Sequence, residues 1–227
     1  MAELIAGLRA EVVRANLERV RAQIDAAPRP VRAPAAGAPE HVEILAATKY
    51  VALAELPVLA AAGVRLVGEN RAQDLEAKVQ AHGPLFEWDF IGQLQSRRVR
   101  TIVPHVRLIH SLASESALRA LARHLELARP GLRVLVEVNL AGEAGKAGVA
   151  PGELEGFIAR CPVPVAGLMT MPPLSAEPEH NRRWFAQLRA LADRHGLPEL
   201  SMGTSQDYLV AVEEGATIVR IGTKLYH

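Results

Sequence analysis

The sequence has one cysteine, almost no net charge and no long apolar run, and each shortage excludes a class of protein. Cys161 cannot form a disulfide within the chain, so we expect a small, packed apolar side chain in a reducing compartment, which favours the cytosol. With 26 basic and 25 acidic side chains, the formal charge of +1 gives no overall field for nucleic acid or anionic membrane. The longest uncharged stretch, residues 161–176, is too short and too rich in proline for a membrane span.

Two further kinds of site lack a supporting pattern. The histidines show no metal-ligand spacing such as H-E-x-x-H, so no metal site is predicted. The short basic run RRVR at residues 97–100 is typical of a solvated helix face, and it leaves the role of Arg97 and Arg98 open. We therefore predict a soluble protein with neither a nucleic-acid nor a membrane partner.

The composition that remains is that of one folded domain. Hydrophobic residues make up 49% and charged residues 22% of 227 residues, a length that one α/β barrel occupies as a single unit. Apolar residues recur at three- and four-residue steps from Leu4 to Ile24, which predicts an amphipathic opening helix. The Pro/Ala-rich stretch PRPVRAPAAGAPE (residues 28–40) predicts an exposed loop inserted into a single domain that spans residues 1–227.

From residue 41 onward, short β-rich segments alternate with helix-length segments. Eight strands are predicted, at VEILAATKY, VRLVGEN, WDFIGQL, VRLIHSL, RVLVEVNL, VAGLMTM, ELSMG and TIVRIG. Most are continuous apolar runs, as expected when both faces of a parallel strand are covered. The segments SESALRALARHLELA and HNRRWFAQLRALADRHG predict helices, and Gly196 closes the second.

Eight parallel strands alternating with helices predict a (β/α)8 TIM barrel. The opening helix is expected to complete the outer ring, because no helix-length segment follows the last strand. The alternative is an open doubly wound sheet, but the Gly-rich fingerprint G-x-G-x-x-G at its first turn is absent.

In such barrels the functional groups collect at the carboxyl ends of the strands. Polar or functional residues at these ends are Lys49, Glu69, Asn70, Gln93, Gln95, His110, Ser111, Asn139, Met169, residues 201–205, Arg220, Gly222 and Thr223. Lys49 has two interpretations: a surface lysine whose stem reaches out of the barrel, or an amine in a partly desolvated site that forms a Schiff base with an aldehyde. Tyr50 is expected on the other side of the strand, because side chains alternate.

The last two strands predict an anion site. Gly203, Thr204 and Ser205 precede a helix expected over residues 206–214, so backbone N–H groups and hydroxyls would face the cavity. Simple N-capping, with Thr204 and Asp207 in a box-like arrangement, explains this segment equally well. Gly222 and Thr223 supply a second small-residue loop where phosphate sites of this fold lie, which favours phosphate.

Arg220 distinguishes two kinds of lysine–phosphate site, a pyridoxal phosphate (PLP) site and a sugar-phosphate aldolase. It lies on an apolar strand two residues before Gly222 and is expected to point inward, where the alternative to a ligand is a salt bridge to Glu69 or Glu137. A guanidinium cannot accept a proton, so beside a pyridine nitrogen it would donate a hydrogen bond and leave that nitrogen unprotonated. The ring would then be a weak electron sink.

These residues resemble the pyridoxal phosphate homeostasis proteins, a family similar to the N-terminal domain of alanine racemase. The resemblance covers nearly the whole chain from residue 41. It rests on LAATKY, GENRAQDLEAK, DFIGQLQS, HSL, EVNLAGEAGKAGV, GLMTMPP, LSMGTSQDY and VRIGTKLY, in this order. Two positions depart from the family pattern: Arg71 follows GEN where an aromatic residue is usual, and QSRR stands in place of QSNK.

The resemblance implies a fold-type III barrel that carries PLP as a covalent aldimine on Lys49. Arg220 would face the pyridine nitrogen, and Asn70 and Met169 would line the ring. The phosphate and its loop would involve Ser201, Met202, Gly203, Ser205, Gly222 and Thr223. The residues are taken up by one barrel, with none left for the extra β domain from which racemases supply a second acid/base.

The sequence therefore predicts a cytoplasmic, monomeric protein involved in PLP homeostasis, which holds PLP reversibly and is not an enzyme. PLP-dependent apo-enzymes are its expected partners. The alternatives are a weak PLP-dependent amino-acid racemase or lyase, and a sugar-phosphate aldolase. His110, at the end of the fourth strand, is expected either to reach the cofactor or to be a structural histidine with its own partners.

Overall fold

All eight predicted strands form, and they close into one parallel barrel in which each strand pairs with its neighbours in chain order and β1 pairs with β8. The computed structural model describes residues 4–30, 40–143 and 145–227. The strands are β1 (Glu43–Ala47), β2 (Leu66–Glu69), β3 (Glu87–Phe90), β4 (Leu108–Leu112), β5 (Arg133–Glu137), β6 (Val165–Met169), β7 (Glu199–Thr204) and β8 (Ile218–Ile221). The predicted (β/α)8 architecture is confirmed, and the open sheet is excluded by the β1–β8 pairing.

Helices cover the outside of this barrel. The α-helices are α1 (Ala10–Ala26), α2 (Leu56–Ala61), α3 (Ala72–His82), α4 (Val99–Ile102), α5 (Glu115–Arg123), α6 (Leu154–Ala159), α7 (Arg182–Arg194), α8 (Tyr208–Glu213) and α9 (Thr223–Tyr226). Single 3₁₀ turns occupy Leu53–Glu55, Gly83–Leu85, Ser96–Arg98, Leu125–Leu127, Pro151–Glu153 and Pro178–Asn181. No helix among the described residues is long and apolar enough to cross a membrane.

The opening helix begins later than predicted, at Ala10 instead of Leu4. Gly7 adopts a φ of +72°. The Glu55 carboxylate accepts hydrogen bonds from the backbone amides of Gly7 and Leu8. Ile5 instead forms a parallel bridge with Val51, next to Lys49. The left-handed glycine explains the error, because it separates the first apolar residues from the helix that follows.

The predicted place of α1 in the outer ring is confirmed. Its buried face includes Val13, Val20 and Ile24, and Asn16 Nδ2 donates to the carbonyls of Leu225 and His227 at 3.2 Å each. The helix therefore packs against the short α9, where a final helix of the barrel would lie. Residues 31–39 of the predicted 28–40 insertion lie outside the described residues.

The core has two layers, which decide which side chains can reach the barrel axis. The outer layer lies between strands and helices, and a smaller inner cluster fills the barrel with Leu45, Leu66, Leu108, Leu135, Ala166, Met169 and Ile218. Strand alternation places Ile218 inside and Val219 and Ile221 outside. Arg220 therefore points to the axis, as predicted.

Candidate functional site

Lys49 lies in a turn beyond β1, because β1 ends at Ala47, three residues before the end of the predicted strand VEILAATKY. The amide of Val51 donates to the Thr48 carbonyl at 2.8 Å, which closes the turn. Lys49 is exposed, and its Nζ lies 4.8 Å from the centroid of the Tyr50 ring. The expected placement of Tyr50 on the opposite side is therefore wrong, since strand alternation no longer applies within a turn.

A cavity of about 370 Å³ lies beside Lys49. It is lined by Leu4, Lys49, Tyr50, Val51, Leu53, Arg71, Asp74, Ala77 and Lys78. None of these residues belongs to the two predicted phosphate loops. The Lys49 amine therefore faces Tyr50 and not these loops.

A buried ion pair holds the backbone that leads to Lys49. Lys78 Nζ donates to Glu69 Oε1 at 2.5 Å and to the Thr48 carbonyl at 2.8 Å, while the Thr48 hydroxyl donates to the same Glu69 oxygen at 2.7 Å. Both charged side chains are buried. Sequence reasoning missed this pair, although a glutamate closing an apolar strand with a lysine nine residues later on the next helix was a usable signal.

Arg220 is buried inside the barrel and donates to groups on β7 and in the segment that follows β6. Its Nη1 bonds the Ser201 carbonyl at 2.9 Å and the Ser201 hydroxyl oxygen at 2.6 Å, and its Nη2 bonds the Thr170 carbonyl at 3.1 Å and Met171 Sδ at 2.9 Å. Burial lowers the pKa of Arg220 to about 10, against the opposing charges of Glu137 and Asp207. The group therefore stays charged at neutral pH.

Neither proposed acid forms a salt bridge with Arg220. Glu69 is bound to Lys78, and Glu137 acts on Arg220 only through its charge. Burial raises the pKa of Glu137, and the charge of Arg220 opposes this shift. The salt-bridge alternative for Arg220 is therefore replaced by hydrogen bonds to Ser201, Thr170 and Met171.

His110 is a fully buried histidine with two partners, which is the structural role that the sequence left open. Its Nδ1 lies 2.8 Å from the Ser201 hydroxyl oxygen and its Nε2 lies 3.1 Å from Asp89 Oδ2. Burial lowers the pKa of His110, and the hydrogen bond and charge of Asp89 only partly oppose this effect. A neutral imidazole in this position must donate from Nε2, because a carboxylate is an acceptor.

The two predicted phosphate loops contact each other. The Gly222 amide donates to the Ser205 hydroxyl oxygen at 3.0 Å, which leaves the Ser205 hydrogen to be donated outward. Thr223, exposed, begins α9. Ser205, Gly222 and Thr223 therefore lie together at the ends of β7 and β8.

Thr204 follows the capping interpretation. Its amide and its hydroxyl both donate to Asp207 Oδ1, at 2.7 and 2.9 Å, while Asn181 donates to the other Asp207 oxygen at 2.8 Å. Helix α8 begins at Tyr208, two residues later than predicted, and spans only six residues. Its dipole is correspondingly short, so an anion here would depend on direct hydrogen bonds.

The other predicted residues of β6 and β7 differ in what they can contact. Met169 packs in the inner cluster, whereas Met202 is fully buried in the outer layer, so the Met202 side chain does not reach the mouth. Gly203 has a φ of +89°, and a Cβ there would lie 2.6 Å from the Ala211 Cβ. Only glycine allows α8 to pack this closely on β7.

Asn70 supplies a polar atom that the protein leaves unpaired. It follows β2, and its Oδ1 is buried without a hydrogen-bond partner among the described residues. Buried amides are normally satisfied, so this unpaired oxygen can accept a hydrogen bond from a bound ligand. Together with the guanidinium of Arg220 and the joined loops at Ser205 and Gly222, it fits a ligand with a polar ring substituent, a ring nitrogen and an anionic tail, as PLP has.

Metal ligands are a different matter. No group of three or more His, Cys, Asp or Glu side chains in the described ranges is placed to hold a metal ion.

Comparison with known proteins gives a family. Residues 11–227 match the model of the alanine racemase N-terminal domain. The pyridoxal phosphate homeostasis protein of Aquifex aeolicus (strain VF5) is 43% identical over 175 residues, covering 72% of this chain and 77% of the relative. That of Pseudomonas aeruginosa is 37% identical over 219 residues and covers 93% of both chains.

Solved structures agree with these relatives. PipY of Synechococcus elongatus PCC7942, solved with PLP bound, is 32% identical, with a TM-score of 0.77 over 95% of this chain and 100% of PipY. Alanine racemase from Corynebacterium glutamicum shares the fold at 19% identity, with a TM-score of 0.66 over all of this chain and 63% of the racemase. The chain therefore belongs to the alanine racemase N-terminal domain family and, within it, to the pyridoxal phosphate homeostasis proteins.

Proposed function

We propose that this protein takes part in PLP homeostasis by holding PLP reversibly on Lys49, without efficient catalysis of its own. The Lys49 amine would attack the PLP aldehyde carbon, so that a C=N bond forms and the aldehyde oxygen leaves as water. Water reverses the same step and releases the aldehyde. The relatives named as homeostasis proteins and the PLP bound to PipY support this proposal.

The observation that carries it is the buried guanidinium of Arg220 at the inner end of the mouth. Its hydrogen bonds to Ser201 and Thr170 fix the inner side, while the contact with Met171 Sδ, a weak acceptor on a half-exposed side chain, is open to replacement. A pyridine nitrogen is a stronger acceptor. Because arginine donates and does not protonate it, the ring stays a weak electron sink, which favours holding PLP over transforming amino acids.

The remaining contacts follow from the positions of the predicted residues. Ser205, Gly222 and Thr223 would bind the phosphate, Asn70 a polar ring substituent, and Met169 the ring face. Gly203 would shape the phosphate loop. Met202 would contribute to the site only through its backbone, because its side chain is buried in the outer layer. Ser201 is bound to His110 and Arg220 inside the barrel, so we assign it to the ring nitrogen end instead of the phosphate.

Lys49 must turn from Tyr50 towards the mouth to reach the cofactor. The end of β1 lies next to the proposed phosphate loop, because an ideal Cβ on Gly222 would be 3.8 Å from the Cβ of Ala47, two residues before Lys49. The flexible four-carbon stem of lysine permits Lys49 to turn in this way. The hydrogen bonds among Glu69, Lys78 and Thr48 would hold the backbone before Lys49 while the Lys49 side chain moves.

The test is the visible absorbance of the Schiff base. Wild-type protein mixed with PLP should develop it, and Lys49→Ala should lose it because the amine is absent. Lys146→Ala, which removes an exposed lysine paired with Glu143, is the matched control and should keep the absorbance. Borohydride reduction followed by peptide mass analysis should place the label on Lys49, and a colourless wild type would refute the proposal.

A weak racemase or lyase is the alternative, and tyrosine placement argues against it. A racemase needs a second acid/base on the cofactor face opposite the lysine. Tyr50 lies on the Lys49 side, the Tyr226 hydroxyl donates to the Ala47 carbonyl at 3.1 Å, and the Tyr208 hydroxyl donates to Gln23. Exchange of the amino-acid α-hydrogen at about 1 per second or faster would favour the enzyme.

We further propose that PLP-dependent apo-enzymes receive the cofactor from a monomeric, cytoplasmic carrier. PLP-loaded protein should activate an apo-enzyme even when a trap removes free aldehyde. Activation that stops when the trap is added would mean that the recipient takes PLP only from solution. Sedimentation of the loaded protein measures the oligomeric state.

A further inference from the structure

A column of hydrogen bonds inside the barrel leads from its amino-terminal end to Arg220. Arg107, which precedes β4, donates to Glu43 at 2.6 Å and to Asp89 at 3.0 Å. Asp89 bonds His110, His110 bonds Ser201, and Ser201 bonds Arg220. Asp89, His110 and Ser201 are fully or almost fully buried, so none of these groups can exchange its partner for water.

In each hydrogen bond between Asp89 and Arg220, the donor and the acceptor can be assigned. Asp89 can only accept, so His110 donates to it from Nε2. Burial lowers the pKa of His110, and in the neutral ring that results Nδ1 carries a lone pair. The Ser201 hydroxyl must then donate to Nδ1, which turns the Ser201 oxygen lone pairs towards Arg220. The Arg220 N–H completes the series as the last donor. A hydroxyl without His110 could rotate its hydrogen towards the guanidinium and lose this bond.

We infer that Asp89, His110 and Ser201 are positioning residues that aim the Arg220 guanidinium at the ring nitrogen of bound PLP. This inference rests on the proposed function and adds to it the groups that set the ring-nitrogen contact. The column touches Nη1 from inside the barrel, whereas Nη2 carries the exchangeable contact with Met171. Holding one nitrogen of a planar guanidinium fixes the direction of the other.

The test compares PLP with an analogue in which carbon replaces the ring nitrogen. Both carry the aldehyde and the phosphate, so both can bind Lys49 and the loops, but only PLP can accept from Arg220. Ser201→Ala and His110→Phe should each weaken PLP binding about tenfold, the typical scale for one hydrogen bond to a charged group, and leave analogue binding nearly unchanged. The readout is the ratio of the two dissociation constants by equilibrium dialysis.

Thr217→Val is the matched control, because it removes another buried hydroxyl between the same two strands. Thr217 Oγ1 accepts from the Leu200 amide at 2.8 Å, at the beginning of β8 and away from Arg220. This variant should lose stability and keep the wild-type ratio. His110→Phe leaves Asp89 bonded to Arg107, so the two test variants disturb the column at different points and either one that folds gives the answer.

The outcomes separate the two proposals. A wild type that binds neither compound refutes the proposed function itself. A wild type that binds PLP, with folded Ser201→Ala or His110→Phe protein showing the wild-type ratio, refutes the positioning column alone. Loss of both ligands in equal measure from the variants would also refute it, because a general structural defect does not depend on the ring nitrogen.

Discussion

At the residue scale, the mouth of this barrel depends on charged groups that are buried with partners. Lys78 and Glu69 bond each other and Thr48, immediately before the proposed cofactor lysine. Removing one member of such a pair leaves the other charge buried alone, which costs far more than the pair contributes as a whole. The pair therefore ties the backbone geometry at Lys49 to the stability of the fold.

We predict that Lys78→Met destabilises the protein by about 3–5 kcal/mol, because Glu69 would keep an uncompensated buried charge. The double variant Glu69→Met with Lys78→Met should recover part of this loss. Urea unfolding of the single and double variants measures the coupling. Lys146→Met breaks the exposed pair with Glu143 and should cost less than about 1 kcal/mol; a similar cost at both sites would contradict a special role for burial.

At the element scale, Gly203 sets the approach of α8 to β7 and with it the place of the loop that contains Ser205. Its φ of +89° is costly for other residues, and its Cβ position lies 2.9 Å from the Tyr208 Cα. The strand, the loop and the helix therefore meet at a point where no side chain fits. Ser205, two residues after Gly203 in this loop, accepts the hydrogen bond from the Gly222 amide.

Gly203→Ala should therefore lower the free energy of unfolding by more than the replacement of a left-handed glycine alone would. We expect about 1–2 kcal/mol for the backbone and about 1–3 kcal/mol more for the overpacked contact. Gly63→Ala separates the two effects, since Gly63 has a φ of +95° with nothing within 4 Å of its Cβ position. Guanidinium unfolding of both variants gives the comparison; equal losses would show that the close approach has no cost.

The sequence predicts the strands well because parallel strands that are buried on both faces consist of nearly continuous runs of apolar residues. Arg220 could be assigned to the axis for the same reason: an arginine in such a run must point to one of two sides. The turn at Lys49 could not be predicted, because the strand-forming residues Thr48, Tyr50 and Val51 continue past Ala47, where β1 ends. Nor could the pairing of Ile5 with Val51, which depends on distant contacts around Gly7.

At the scale of the whole molecule, the interior column needs the closed barrel. Asp89, His110, Ser201 and Arg220 come from β3, β4, β7 and β8, and only closure brings the last strands opposite the middle ones. The sequence identifies each of these four residues as a polar side chain within an apolar strand, for example Asp89 in EWDF. The strand registers that make them neighbours are a property of the assembled barrel.

Burial of neutral His110 makes the stability of the whole protein depend on pH. Its folded pKa is lowered, whereas the unfolded chain titrates near the usual value of about 6.5. The unfolded state therefore binds the extra proton as pH falls through that value, and stability decreases. The groups around the ring are Asp89, Ser201, Arg220 and Arg107, and burial outweighs the carboxylate among them.

We predict that this histidine alone removes stability between pH 7.5 and pH 5.5, by up to about 1.4 kcal/mol if the folded imidazole takes up no proton in that interval. In His110→Phe the same interval should show that much less pH dependence, because neither state has a proton to bind at this position. Chemical unfolding at both pH values measures the difference. His41→Gln, which replaces an exposed histidine, is the control and should retain the wild-type pH dependence. A parallel loss in His110→Phe and wild type would mean that the imidazole binds its proton equally in the folded and unfolded states, which contradicts the lowered pKa. A smaller loss in wild type than in His110→Phe would mean that the imidazole is protonated in the folded barrel, and then His110 would donate to Ser201 instead of accepting from it.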